Sequence, residues 1–391
     1  MLDRLFSLLP TVLERGLAEA ERGSIDFTDM LYVPVMKQLP VPVFDLVSID
    51  EAQDYSAAAL EFTVRLAAAG ARLVFVGDPR QSIFGFAGAA PRALERTAER
   101  LAAAVLPLSV TYRCPRLHVE LARQLAPELE VPATAPGGRV VVLAERELPA
   151  WVRAGDLIIC RLNAPLVGLC LRLLTRGHRA FVKGVDLQAR LQALAGRVFR
   201  HGFRQPQQQL RKFLAAELAR FGEDGAPAAG AAADRLRDEC ACLQHFLTAG
   251  AGCPDRAALS ALIEAAFAGD ERSVVLSSIH RAKGMEADRV VLLQPELLPA
   301  PYARSGSALE AEACVQFVAL TRARRELVFT EPGHVRAVDT PPAASGGVLS
   351  VPPADRRAEV IAVWQSILLR ARSGRRYRTQ HGNRAAGRRN R

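Results

Sequence analysis

The sequence predicts an α/β protein built on parallel sheets, and two observations carry that expectation. First, two short apolar runs each end in acid. Leu46-Val47-Ser48-Ile49 leads into Asp50-Glu51-Ala52-Gln53-Asp54, and Leu73-Val74-Phe75-Val76 leads into Gly77-Asp78-Pro79-Arg80-Gln81-Ser82. Short β-branched runs bounded by turn residues read as buried parallel strands. Second, Ala57 to Ala69 between them is rich in Ala and Leu at helical spacing, which completes a β-α-β unit. In open α/β sheets ligands bind at the carboxyl ends of strands, and both acid clusters fall there. At that position Asp50 suits a Mg²⁺ ligand shell, Glu51 a base that orients a water, and Gln81 a phosphate sensor.

The other elements follow along the chain. Residues 1–23 read as a helix interrupted at Pro10, and Ser24-Ile25-Asp26-Phe27-Thr28-Asp29 offers polar caps for a second helix. A helix is expected from about Pro91 to Ala104, and strands at Arg139–Leu143 and Asp156–Cys160, the first after the turn Pro136-Gly137-Gly138. From about Leu187 to Arg272 the pattern is helical, broken at residues 222–230, where Gly, Ala and Pro crowd together. Strands return at Ser273–Ser278 and Arg289–Leu293, then a helix over Glu310–Arg324 and a last strand over Glu326–Thr330. A Pro- and Gly-rich linker (331–353), a helix (354–372) and an Arg-rich tail (373–391), read as disordered, complete the chain.

The 391 residues leave room for two domains. No apolar run approaches the length of a membrane span, and the amino terminus lacks a signal-peptide layout, so no membrane association is expected. Seven cysteines, an odd number with no CxxC pair, fit reduced thiols and a cytoplasmic setting. Cys240, Cys242, His245 and Cys253 lie close in sequence, but their spacing matches no zinc finger. The net charge is +10, yet nine arginines and no acid lie between Arg370 and Arg391, so the preceding residues sum to about +1. The basic character is mostly that of a tail.

Ile49-Asp50-Glu51-Ala52-Gln53-Asp54 followed by Val76-Gly77-Asp78-Pro79-Arg80-Gln81-Ser82-Ile83-Phe84-Gly85-Phe86-Ala87-Gly88-Ala89 resembles motifs II and III of UvrD/Rep-type superfamily 1 DNA helicases. The resemblance continues. Leu106 to Pro115, with Tyr112-Arg113, resembles motif IV, although Thr111 stands where Asn is usual. Ser273 to Glu286 resembles motif V, with Arg281 in place of a frequent Ser and Met285 in place of Leu. Phe317-Val318-Ala319-Leu320-Thr321-Arg322-Ala323 matches motif VI.

The resemblance has specific implications. The fold would be two RecA-like parallel-sheet domains, the first (1–110) incomplete at its amino terminus, the second split into 111–186 and 273–330 around a small helical 2B-like insertion at 187–272. The function would be ATP- and Mg²⁺-dependent movement on single-stranded DNA or DNA junctions, 3′-to-5′. Asp50 would hold the metal; Glu51, Gln81 and Arg322 would serve hydrolysis, Arg322 as an arginine finger. Tyr112 would stack on adenine, Arg113 would reach the γ-phosphate, and Glu286 would hold the ribose. Phe84 and Phe86 would stack on bases, with Ser278 and His280 beside the strand. Ala87 stands where the family often has Arg.

One expected part is missing from the sequence. A P-loop needs G-x-x-x-x-G-K-[ST], and the four lysines, Lys37, Lys183, Lys212 and Lys283, are followed by Gln38, Gly184, Phe213 and Gly284. This leaves two expectations. Either the chain is the carboxyl portion of a helicase completed by an upstream polypeptide that carries the P-loop, or it is a non-catalytic DNA-binding or regulatory protein of helicase shape.

Overall fold

The structure is a computed structural model, and it describes residues 2–90, 92–224, 227–270, 272–300, 303 and 306–331. The linker beyond residue 331, the helix at 354–372 and the tail lie outside the described residues, as do the side chains of residues 2–5, of Phe86 and of residues 222–224 and 227–229.

The amino-terminal part opens with α1 (Leu2–Glu21), which runs unbroken through Pro10, and α2 (Asp29–Met36). The Asp26 and Asp29 carboxylates each accept the other's backbone N–H, at 2.8 and 3.0 Å, closing the turn that starts α2. Strand β1 (Phe44–Ile49), α3 (Ala57–Arg65) and β2 (Ala67–Phe75) form the β-α-β unit, and the two strands are parallel. The helix ends earlier than its composition predicts, because Ala67 pairs with Phe44 and β2 begins there. Backbone pairing here outweighs the helix propensity of alanine. Helix α4 (Ala93–Leu101) comes next.

The second part is larger. Its elements are α5 (Arg116–Ala122), β3 (Arg139–Leu143), the short α6 (Leu148–Trp151), β4 (Leu157–Cys160), α7 (Ala164–Thr175) and β5 (Ala180–Val182). Four helices come next: α8 (Val185–Val198), α9 (Pro206–Asp224), α10 (Pro227–Ala249) and α11 (Arg256–Phe267). Then come β6 (Val274–Ser278), β7 (Ala287–Leu292), α12 (Gly306–Leu320) and β8 (Ala323–Thr330). The strands make one six-stranded, all-parallel sheet in the order β3-β8-β7-β4-β6-β5.

Strand alternation explains why both faces of this sheet are covered. Ile158, Cys160, Val291 and Val328 point into one core with α7, α8, α10 and α11. Their neighbours Leu157, Ile159, Val290, Leu292, Leu327 and Phe329 point into another with α5 and α12. The helical stretch 187–272 therefore shares its core with the sheet: Leu187, Leu191, Leu243, Phe246 and Ile263 pack with the strand residues. At ~1.5–3 kcal/mol for each fully buried aliphatic side chain, this double cover is the main source of stability.

Ile83 and Phe84, just past the acid cluster that ends β2, belong to the second of these cores. Arg80 pairs with Glu128 at 2.5 Å and also donates to the Leu125 carbonyl. The segment after β2 thus ties the small sheet to the large one.

Candidate functional site

The site lies where the segments after β1 and β2 meet the turn after β6. Glu51 takes a left-handed backbone conformation (φ 53°, ψ 35°), uncommon outside glycine and asparagine. Its N–H donates to Asp50 Oδ1 at 2.9 Å. Buried Gln53 links the two strand ends: Nε2 donates to Glu51 Oε2 at 2.6 Å, and Oε1 accepts the Asp78 N–H at 3.0 Å. Gly77 leaves room beside it, since a Cβ there would lie 2.3 Å from Gln53 Oε1. Gln81 donates to Asp78 Oδ2 at 2.8 Å, while Asp78 Oδ1 caps the Arg80 N–H.

Lys283 crosses from the turn after β6 into this cluster. Its side chain is 7% exposed; its ammonium donates to Asp54 and to the Gln81 carbonyl (2.9 Å), lies 3.3 Å from Glu51 Oε2, and sits 5.2 Å from the centre of the Phe84 ring. Burial raises the Asp54 carboxyl above its ordinary range, and the Lys283 ammonium opposes that shift. Asp54 Oδ1 is buried without a hydrogen-bond partner among the described residues. Sequence reasoning gives Lys283 no role. A signal existed: it is one of four lysines against 47 arginines, and a compact ammonium fits a pocket between two carboxylates that a planar guanidinium does not.

The remaining expected residues gather nearby, in different states of readiness. Tyr112 is 85% exposed, so its ring is free to stack. Arg113 Nε pairs with Glu286 Oε2 at 2.6 Å, and Arg324 approaches the other oxygen at 3.3 Å. The expected γ-phosphate and ribose groups therefore hold each other. Arg322 is only 1% exposed, and its guanidinium turns inward to the carbonyls of Val318 (3.0 Å) and Met285 (3.5 Å) and to Thr321 Oγ1 (2.9 Å). Burial and the positive charge of Arg113 lower its pKa. A role as an arginine finger requires this side chain to leave those partners.

At the end of β6, Ser278 is buried and its hydroxyl accepts the Arg281 N–H at 3.4 Å. His280 is half-buried, and desolvation, helped by Arg161, pushes its pKa down to about 4, so the ring is neutral near pH 7. Phe84 is half-buried against the second core with Lys283 above it. Phe86 occupies the helical turn Gly85–Ala87, its side chain outside the described residues.

The donor set can be tested against Mg²⁺ and a nucleotide. Among the described residues no group of three His, Cys, Asp or Glu side chains is placed to hold a metal. Mg²⁺ ordinarily takes one or two carboxylates plus phosphate oxygens and waters, which suits Asp50, exposed at a strand end. Tyr112, Arg113 and Glu286 suit the base, the phosphate and the ribose. The run of backbone amides that cradles phosphates has no counterpart in this set.

Comparison with known proteins now gives the arrangement a context. Residues 21–102 match the UvrD/REP helicase N-terminal domain, and residues 235–332 match the UvrD-like helicase C-terminal domain. Two segments of the chain are therefore similar to UvrD-type helicase domains. The first match contains Asp50, Glu51, Gln81 and Phe84; the second contains Ser278, His280, Lys283, Glu286 and Arg322. A curated relative, the F-box DNA helicase protein 1 of Schizosaccharomyces pombe, is 25% identical over 318 residues. That alignment covers 74% of this chain and 34% of the relative, so the chain spans about a third of the curated protein it matches. The two parallel sheets agree with RecA-like helicase domains. No helix among the described residues is long and apolar enough to cross a membrane.

Proposed function

We propose that this chain is the DNA-contacting and nucleotide-closing portion of a UvrD-type translocase moving 3′-to-5′ on single-stranded DNA with ATP and Mg²⁺, and that it hydrolyses no ATP by itself. The observation that carries the reading is Lys283. It ties the turn that follows Ser278 and His280 to Glu51 and to the Gln81 carbonyl, which supports a coupling between contact with the strand and orientation of the water. DNA as the substrate is favoured by the name of the yeast relative. When bound, the metal would neutralise charge on the transferred phosphate; Asp50 would hold it, and Glu51 would orient the attacking water. The phosphate cradle would come from an α/β segment bearing a P-loop, in cis or in trans. That occupant is supported by the first sheet, where Phe44 and Leu46 of β1 are 50% and 59% exposed, although parallel sheets are normally covered on both faces. Without the cradle, three charge-assisted hydrogen bonds worth ~1.5–3 kcal/mol each are lost, most of the roughly 8 kcal/mol of micromolar nucleotide binding.

A second reading, a DNA-binding protein without hydrolysis, draws on the Arg113–Glu286 pair and on Arg322 donating to the Val318 carbonyl. DNA-stimulated phosphate release separates the two. The chain alone is expected to be silent, and turnover above about 1 s⁻¹ from it would defeat the proposal. Adding a P-loop segment should restore turnover, and Arg322→Ala should then lower kcat by roughly 10³. Silence with the segment added selects the second reading.

A further inference from the structure

Arg281, in the turn after β6, is a cation where the resemblance leads one to expect serine. Strands β5 and β6 are parallel neighbours, so the turn after β6 and the residues after β5 lie at the same end of the sheet. There the Arg281 guanidinium pairs with the Asp186 carboxylate at the start of α8. It also lies close to Gly184, where an added Cβ would come within 3.0 Å of Arg281 Cζ. Lys183, the residue before Gly184, is exposed and forms no ion pair among the described residues.

The cations of this region differ in how firmly they are held. Arg161, after β4, forms a bidentate pair with Glu312 at 2.6 to 3.0 Å, the two side chains 9% and 5% exposed. A buried pair of that kind is costly to open. Lys283 is committed to Asp54 and the Gln81 carbonyl. Arg281 is not locked. The Asp186 side chain is 62% exposed and also pairs with Arg190 at 3.1 Å. Asp186 therefore keeps a counterion when Arg281 leaves, and exposed ion pairs contribute little. A phosphodiester offers the same guanidinium two oxygens in bidentate geometry, and its neutralisation releases the counterions of the nucleic acid.

We infer that Asp186 is an internal substitute for a phosphate of single-stranded DNA. In the free chain it holds Arg281; the bound strand displaces it and takes Arg281 as a phosphate contact. The inference rests on the reading of Ser278 and His280 as strand contacts. The Arg281 N–H donates to Ser278 Oγ at 3.4 Å, which fixes the backbone from which the guanidinium extends. Only the side chain has to change partners. The pair lowers the strand affinity of the free chain, because each bound strand must first break it, and it keeps an unoccupied guanidinium from capturing other anions.

The test is equilibrium binding of the full chain, without nucleotide, to dT20 across a salt series. The variants are Arg281→Ala, Asp186→Asn and the two together. The control pair is Arg179→Ala and Asp270→Asn, which removes the same charges from an exposed ion pair (2.9 Å) at the opposite ends of β5 and β6. Arg281→Ala should weaken dT20 binding about fivefold or more, the loss of one hydrogen bond to a charged group, and lower the log–log salt slope by ~0.7, one phosphate. Asp186→Asn should strengthen it about two- to fivefold, the scale of an exposed ion pair. The double variant should bind like Arg281→Ala, because Asp186 acts only through Arg281. Each control should change affinity by less than about twofold. If Arg281→Ala misfolds by circular dichroism, Arg281→Gln is expected to give the same loss. A gain from Asp186→Asn that persists without Arg281 overturns the inference and makes Asp186 a general repulsive charge. A loss of affinity in Asp186→Asn, unchanged binding in Arg281→Ala, or equal effects in the control pair overturn it as well. A parent chain that does not bind dT20 defeats the strand reading and this inference together, whereas dT20 binding without phosphate release once a P-loop segment is added defeats hydrolysis alone.

Discussion

The two sheets of this molecule obey the same sequence grammar and reach opposite states. Each is parallel, and each strand is a short apolar run. In the six-stranded sheet the strands are covered on both faces by helices, and Ile158, Ile159, Val290 and Leu327 are fully buried. In the two-stranded sheet Phe44, Leu46 and Val74 remain exposed. Apolar sequence does not bury itself; it is buried when the chain supplies neighbours, and strands in pairs are marginal without them. The small sheet is held from its carboxyl end, through Ile83 in the large domain's core and Lys283 across the acids.

The sharpest way to break this comparison is to remove matching side chains from each sheet. Ile159→Ala in β4 should cost about 2–5 kcal/mol by leaving a cavity, while Leu46→Ala in β1 should cost less than ~0.5 kcal/mol, as for other exposed sites. Urea titrations of the two variants read this directly, and comparable losses would mean that the first sheet is covered in solution. Removing the tie between the sheets comes next. Lys283→Met leaves Asp54 and Glu51 without their cation and should cost about 2–3 kcal/mol, the scale of one to two charged hydrogen bonds. Lys283→Arg should recover only part of that loss, because a guanidinium does not fit the same pocket. If both variants denature like the parent, the ammonium does not hold the sheets together.

Acid should act on the large domain in particular. The His280 ring has a pKa of about 4 in the fold and near 6.5 once unfolded. The unfolded chain therefore takes the proton first, and stability present above pH 6.5 is lost as the pH falls toward 4. Between pH 7 and 5 the loss from this group should be about 1–2 kcal/mol, and His280→Gln should flatten that part of the profile. A histidine NMR titration placing His280 near 6.5 would remove the effect. A last change is local: Gly77→Ala must push Gln53 away from Asp78, costing about 1 kcal/mol for that hydrogen bond. Faster amide exchange should appear at Asp78 and not in the six-stranded sheet.

The sequence by itself determined what is local or periodic. The strands at Arg139–Leu143 and Leu157–Cys160, the acids at strand ends and the final helix–strand pair are legible because apolar period and turn residues lie within a few positions of one another. The expected β-α-β unit is present, with its helix ending at Arg65 because Ala67 is taken up by pairing with Phe44. Tertiary structure alone decided the rest. The strand order β3-β8-β7-β4-β6-β5 joins residues far apart in the chain. Lys283 meets Asp54, Arg113 meets Glu286, and Arg322 turns into its own helix end. Such pairings depend on where two distant backbones are brought together and on which charges burial forces to find partners, and neither is written in the spacing of residues along one segment.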